Sequence, residues 1–406
     1  MQHSLKNSIK RALRACFGAD NARRVIYKGR RLLFRLLYPE EFKLSKKQYD
    51  ILFCCDPVRW QNIKLVVLEL IEKRPDLKVG VAFPGARDEL EDLSNLAGIT
   101  TIAHANIYTI YLFRTRILYL PMPDLSPLLT PPNACVVHGL ISIASLDGVY
   151  SDHHFDGFDY IVCGGPHHVD SFWKLALRRP VLMGKRLLPA GYPKLDLMLA
   201  SHSTKQRPID SSVKSTVVYA PTHIYEANKS FATIRQYGEA IISALLAGGH
   251  RVIFRPHPLS FTDEDGALID RICQIHASDP RFSLDRAKDY TQSYASADLM
   301  VTDISGTGFT FSLTFSRPCI FFAPDGDAER GLTGIQFDSR HRVGALVRNI
   351  DEMIEKTSEL CHADMTEEID RFRDELVFNV GKSASYILDC LVDILRGRER
   401  SEWVRL

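Results

Sequence analysis

The chain has 406 residues, 45% of them apolar and 25% charged, a makeup that suits a globular protein large enough for more than one hydrophobic core. A formal net charge of +2 argues against a general binder of nucleic acid, and no apolar run approaches the roughly 18 to 20 residues a transmembrane helix needs. The nine cysteines include no C-x-x-C pair and fall mostly singly within apolar runs (Cys135, Cys163, Cys319), a pattern expected of a reduced, cytoplasmic protein; no apolar signal core opens the sequence.

Residues 1–45 form the first unit of the reading. Lys6, Lys10, Arg11, Arg14, Arg23, Arg24, Lys28, Arg30, Arg31 and Arg35 stand against one acid, Asp20, before residue 39. Leu5, Ile9, Leu13 and Phe17 recur every fourth residue, which places them on one face of a helix. A basic amphipathic helix of this kind is expected to lie on an anionic membrane surface, each cation contributing on the order of 1 kcal/mol near the headgroups.

A strand-helix alternation follows over residues 46–205. Ile51–Cys55 is an apolar run, Asn62–Lys73 a helix and Val79–Phe83 a strand; further strands are predicted at Ile107–Ile110, Arg116–Leu120, Ala134–Val137 and Tyr160–Cys163, with a helix at Val169–Leu177. A parallel sheet with helices on both faces is the architecture this alternation implies. Ser201–Ser215 is polar and without hydrophobic period, and reads as a linker. The alternation restarts over 206–380: strand Thr216–Tyr219, helix Ile234–Ala247, strand Arg251–Phe254, helix Ala267–His276, strands Leu299–Val301 and Cys319–Phe322. Met353–Leu395 is helical in pattern, interrupted at Gly381-Lys382-Ser383, so residues 381–406 are set apart as a C-terminal helix.

Chemistry is expected where these strands end. Val137-His138-Gly139 offers an imidazole beside a glycine that admits a ligand to the backbone. Gly191-Tyr-Pro-Lys194-Leu-Asp196 could face the crevice between the halves, and Tyr219-Ala-Pro-Thr222-His223 closes another strand. In Arg255-Pro-His257-Pro258 two prolines fix the backbone around the imidazole, and the arginine fork suits phosphate. Asp303-Ile-Ser305-Gly306-Thr307 turns from an apolar strand into a helix, and its N–H groups and hydroxyls suit a nucleotide diphosphate. Neither a metal nor a cofactor is expected. Adjacent residues such as His153-His154 or His167-His168 do not share a helix or strand face, and no D-x-D cluster accompanies the strand ends, which leaves Asp303 as the obvious acid for a cation.

The order of YAPTHIYE (Tyr219–Glu226), RPHP (Arg255–Pro258) and ADLMVTDISGTGFTFSLTFSRPCIFFAPD (Ala297–Asp325), with the weaker GYPKLD and VHG, resembles the CDP-glycerol glycerophosphotransferase family over about residues 135–385. These are teichoic-acid and capsule polymerases. The resemblance implies an α/β protein of the GT-B fold, two Rossmann-like domains facing a central cleft, with the acceptor on the N-terminal side and the nucleotide donor on the C-terminal side. It also implies that His138 and His257 are the catalytic pair and that Asp303 and Ser305 hold the donor's phosphates. Thr222, Arg255, Gly306, Thr307, Gly191, Lys194 and Asp196 complete the expected donor site. Leu140 follows Gly139 where the family commonly has threonine, His223-Ile224 stands for Trp-Arg, and Gly306 for a second serine.

The expected reaction moves a glycerol-phosphate or other polyol-phosphate unit from a CDP-activated donor to a hydroxyl of a glycan or lipid-linked acceptor, at the cytoplasmic face of the membrane and without nucleic acid. A nucleotide-sugar glycosyltransferase of the same fold is an alternative reading. So is a membrane-surface scaffold without catalysis, against which the intact His138, Arg255, His257 and Asp303 speak.

Overall fold

The computed structural model describes residues 29, 32–55, 60–85, 96–105, 109–120, 133–136, 155–202, 213–224, 232–261, 265–287, 290–324 and 334–406. Within them, β1 (Gln48–Cys54), β2 (Val79–Ala82), β3 (Ile99–Ile102), β4 (Arg114–Leu120), β5 (Asn133–Val136), β6 (Tyr160–Cys163) and β7 (Arg186–Pro189) build a first sheet. Its order is β7, β6, β5, β4, β1, β2, β3, all parallel, and a last strand at Val404–Arg405 joins antiparallel beside β7. The second sheet holds β8 (Thr216–Tyr219), β9 (Arg251–Phe254), β10 (Phe282–Leu284), β11 (Leu299–Thr302), β12 (Cys319–Phe322) and β13 (Gly344–Val347), parallel throughout, in the order β10, β9, β8, β11, β12, β13.

In each sheet the strand order reverses beside the strand that comes first in sequence. Ligands of open parallel sheets bind outside the carboxyl ends at that reversal. In the second sheet it falls between β8 and β11. Every residue of β8, β11 and β12 is buried, which is why TVVY, LMVT and CIFF read as apolar runs rather than alternating ones.

The principal helices are α1 (Lys64–Lys73), α2 (Pro166–Arg178), α3 (Pro193–His202), α4 (Ile234–Ala247), α5 (Gly266–His276), α6 (Thr307–Phe315), α7 (Ile350–Leu360), α8 (Thr366–Leu376) and α9 (Ser383–Leu395). Two crossings knit the halves together. Tyr192, Leu195 and Met198, at and within α3, pack with Phe309, Phe311 and Leu313 of α6 in the core of the second half. In return, Ala384, Ile387, Leu388 and Leu391 of α9, with Trp403, pack on Ile51, Phe53, Val66 and Leu70 of the first. The C-terminal segment is thus part of the first sheet's core.

One local expectation is corrected, and three strands are present that the sequence did not announce. Ile107–Ile110 is not a strand within the described residues: Ile110–Leu112 is a 3-10 turn. The strand lies earlier, at Ile99–Ile102, on a sheet edge where Ile99, Thr100 and Thr101 are only half-buried, so no apolar run announces it. The short strands β10 and β13, also at edges, escape sequence patterning for the same reason.

Most of the basic segment lies outside the described residues, as does most of the linker at Ser201–Ser215. Residues 32–37 are helical. Phe34 is buried beside Tyr38 and Phe113, while Leu32, Leu33, Leu36 and Leu37 are each more than half exposed.

Candidate active site

Tyr219 at the end of β8 pairs with Phe254 of β9 and Val301 of β11, so these three strands end at one level. Their continuations therefore meet: Thr222 and His223 after β8, Arg255 and His257 after β9, and Asp303 to Thr307 after β11. Positions some 80 residues apart in sequence come within hydrogen-bond reach.

His257 is exposed and its ring stacks on His223, with centroids 5.6 Å apart and an interplanar angle of 29°. Its Nδ1 accepts from the Leu259 N–H at 3.2 Å. An Nδ1 that accepts leaves the proton of the neutral ring on Nε2, so the ring presents a donor on its other side. Although the residue reaches solvent, desolvation against the strand ends, and after it the neighbouring His223 and Arg255, hold its pKa below the ordinary histidine value.

The sign of that shift gives a prediction. A lowered pKa favours the neutral ring, so His257 stays uncharged at neutral pH and resists protonation until the pH has fallen below about 6.5, with folded stability declining as it does. In NMR of histidine-labelled protein the His257 midpoint is expected below the ordinary value and should rise in His223→Ala. A midpoint unmoved by that change would remove His223 from this role.

Asp303 is fully buried, and its carboxylate accepts four hydrogen bonds: from Thr222 N at 3.1 Å and Oγ1 at 2.5 Å, and from Thr233 N at 3.1 Å and Oγ1 at 3.2 Å. Burial pushes this carboxyl up in pKa, opposed by those hydrogen bonds. The Asp303 carboxylate, expected at the donor, faces inward and ties the loop after β8 and the start of α4 to the end of β11. Beyond it, Ser305 Oγ accepts from Thr307 N at 3.2 Å, and Thr307 Oγ1 meets Tyr294 Oη at 2.5 Å. Among the described residues no group accepts from the N–H of Ser305 or Gly306, and a Cβ built on Gly306 would meet nothing within 4 Å. This half-open turn at the start of α6 keeps two amide donors available.

Arg255, expected as a phosphate fork, has its guanidinium engaged within the protein. It is 7% exposed, with Nη1 paired to Asp285 and Nη2 donating to Ala287 O at 2.9 Å. Desolvation works to raise the pKa of Asp285, but hydrogen bonds from Ser293 and Ala287 and the charge of Arg255 outweigh it and hold that pKa down. Arg255 lies over the Tyr290 ring at 5.7 Å, and Lys194 Nζ approaches the same ring at 5.0 Å. Lys194 is half-buried, and among the described residues no carboxylate pairs with it. Its ammonium is a cation beside the strand ends that is available to an anion.

The remaining GYPKLD residues serve the crossing between the halves. Asp196 is buried and accepts from Gly381 N and Ser383 N, both at 2.7 Å, capping α9. Gly191 has φ +97°, and a Cβ there would meet Phe378 O at 2.1 Å. Both were expected at the donor; instead they hold the chain where it returns to the first sheet. His168 is buried, its Nδ1 accepting from Gly164 N at 2.8 Å. His138 and Gly139, and the doublet His153-His154, lie outside the described residues.

Two contributors escaped the sequence reading, and a third, His223, was named only as part of its strand-end segment. Thr233 and Tyr290 carry no local motif and are recruited only by folding. His223 did carry a signal, a strand-end histidine of the same type as His257.

A family model described as CDP-Glycerol:Poly(glycerophosphate) glycerophosphotransferase matches residues 153–393. No curated protein matches the sequence. Among solved structures, the chain is similar to the wall teichoic acid polymerase TagF, at 16% identity and a TM-score of 0.60, covering 98% of each chain. A putative UDP-N-acetylglucosamine 2-epimerase from Listeria monocytogenes is similar at 14% identity and TM-score 0.61, covering 88% of this chain and 99% of that one. The UDP-GlcNAc 2-epimerase of Methanocaldococcus jannaschii gives 13% and 0.56, covering 85% and 99%. At these identities the likeness is one of fold, the GT-B type.

Proposed function

The chain belongs to the CDP-glycerol:poly(glycerophosphate) glycerophosphotransferase family, and from the strand-end cluster we propose how it carries out glycerol-phosphate transfer from CDP-glycerol to a glycan hydroxyl. The observation that carries the reading is the turn at Ser305 and Gly306, whose uncommitted amide donors follow β11 at the reversal of the second sheet, on the strand-end edge that also bears His257 after β9. A pyrophosphate suits these donors, since an anion at a helix N-terminus gains from the amides and the dipole together.

The acceptor oxygen attacks the glycerol-bearing phosphorus and forms the new P–O bond. The bond from that phosphorus to the bridging oxygen breaks, and CMP leaves with the electron pair. The acceptor proton passes to a general base, a role we assign to His138. His257, donating from Nε2 as a neutral ring, stabilises charge on the bridging and phosphoryl oxygens, with Lys194 as the cation. Asp303 and Arg255 position the loops that carry these groups.

Incubation with CDP-glycerol, CDP-ribitol and a panel of nucleotide sugars tests the reading. CMP release from CDP-glycerol that rises with added poly(glycerophosphate) acceptor is expected. Turnover of a nucleotide sugar alone would replace it.

We further propose that the enzyme acts in teichoic-acid synthesis on the cytoplasmic face of the membrane, held there peripherally by residues 1–40. No described helix is long and apolar enough to cross a membrane. The four exposed leucines at 32–37 continue the basic segment and give it an apolar side to bury in lipid. Changing Leu32, Leu33, Leu36 and Leu37 to serine, with buried Phe34 retained, should release the protein from anionic vesicles in flotation. Wild-type binding should weaken with salt, as expected of charges screened over about 8 Å. Equal flotation by both proteins would remove these leucines from the membrane role, and flotation by neither at low salt would remove the role itself.

A further inference from the structure

The donor turn is held from behind. After β12 a short helix, Ile335–Asp338, and a 3-10 turn, Arg340–Arg342, lie against its backbone. Gln336 Nε2 donates to the carbonyl of Ile304, and Arg340 Nη2 donates to the carbonyl of Asp303 at 3.4 Å. Arg340 is 2% exposed, its guanidinium over the rings of Phe321 at 4.7 Å and Phe337 at 4.9 Å, so its place is fixed by packing.

In a trans peptide the carbonyl and the following N–H point in opposite directions. Drawing the Ile304 carbonyl toward Gln336 therefore turns the N–H of Ser305 the other way. The Ser305 carbonyl, which accepts from Gly308 N at 3.4 Å, points into α6 and leaves the Gly306 N–H directed out of the helix start. The two uncommitted amides are thereby turned away from Gln336 and from the first turn of α6.

We infer that Gln336 is a positioning residue for transfer, fixing the Ile304–Ser305 peptide plane, with Arg340 holding the peptide before it, so that the Ser305 amide faces the donor's phosphates beside that of Gly306 before the donor arrives. This rests on the reading of the turn as the donor-phosphate site. Preorganised donors of this kind act without reorganising as charge develops, and a side chain that only orients them should affect the donor and leave the acceptor alone. Neither residue carries a motif in the sequence.

The test uses the full chain. Gln336→Met keeps the side-chain length but removes the amide donor. Donor KM and the dissociation constant for CDP are expected to rise about tenfold, on the scale of one hydrogen bond. Acceptor KM and the melting temperature should stay near wild type. Gly306→Pro, measured in parallel, removes one of the two amides at a position whose φ of −64° proline can adopt, and should raise donor KM as well. If Gly306→Pro raises donor KM and Gln336→Met does not, the positioning role is overturned while the donor site stands. If Gln336→Met weakens donor and acceptor alike with a fall in melting temperature, the tie is structural only and the inference fails. If Gly306→Pro itself leaves donor KM unchanged, the donor-site reading falls and takes this inference with it.

Discussion

Replacing His257 with alanine is expected to lower kcat for CMP release by about 10²- to 10⁴-fold, the usual worth of a positioned acid, base or charge-stabilising imidazole. The fold should survive. The side chain is exposed, and its one hydrogen bond to another residue's backbone, from the Leu259 N–H, is a local one within the loop. The direction of that bond sharpens the test, because it leaves Nε2 as the donor. A glutamine amide nitrogen can stand near the place of Nε2, whereas an asparagine amide reaches only about as far as Nδ1. His257→Gln should then retain more activity than His257→Asn. Equal loss in both would point to proton abstraction by His257 and exchange the roles assigned to it and His138. Wild-type turnover in His257→Ala would remove the residue from the site.

Asp303→Ala is expected to damage stability and donor binding together. The carboxylate accepts from two backbone N–H groups and two hydroxyls, and the hydroxyls can turn to new partners where the N–H groups cannot. Each buried N–H left without an acceptor costs about 1 to 3 kcal/mol, so a loss of about 2 to 4 kcal/mol is expected once the relief of no longer burying a carboxyl is set against it. Chemical denaturation should show a lower midpoint. Donor KM should rise in the protein that remains folded, because the loop bearing Thr222 and His223 is no longer tied to the end of β11. An unchanged midpoint would mean that the four bonds do not hold the loops.

The interior of the fold was legible because parallel strands buried on both faces must be apolar along their whole length. Thr216–Tyr219, Arg251–Phe254, Tyr160–Cys163 and Ile234–Ala247 have the bounds the pattern predicts. The strand ends could be read for a related reason. A turn that must leave a sheet at its carboxyl edge and begin a helix draws on Pro, Gly, Ser, Thr and Asp, and His257 and the turn at Asp303 stood out against the apolar runs before them. Edge strands are wetted and short, so β3, β10 and β13 left no such trace.

By itself, then, the sequence determined two parallel α/β units, the chemistry available at their strand ends, and the family those residues resemble. Only the tertiary structure decided which polar groups face a ligand and which face inward. A carboxylate and a guanidinium suited to binding look the same in sequence whether they meet solvent or one another's loops. Asp303 turns out to anchor Thr222 and Thr233, Arg255 to pair with Asp285, and Asp196 to cap α9, while Lys194 and the amides of Ser305 and Gly306 are left uncommitted. The physical reason is that a buried polar group must find its partner wherever the fold brings one, and those partners lie from 30 to 187 residues away along the chain.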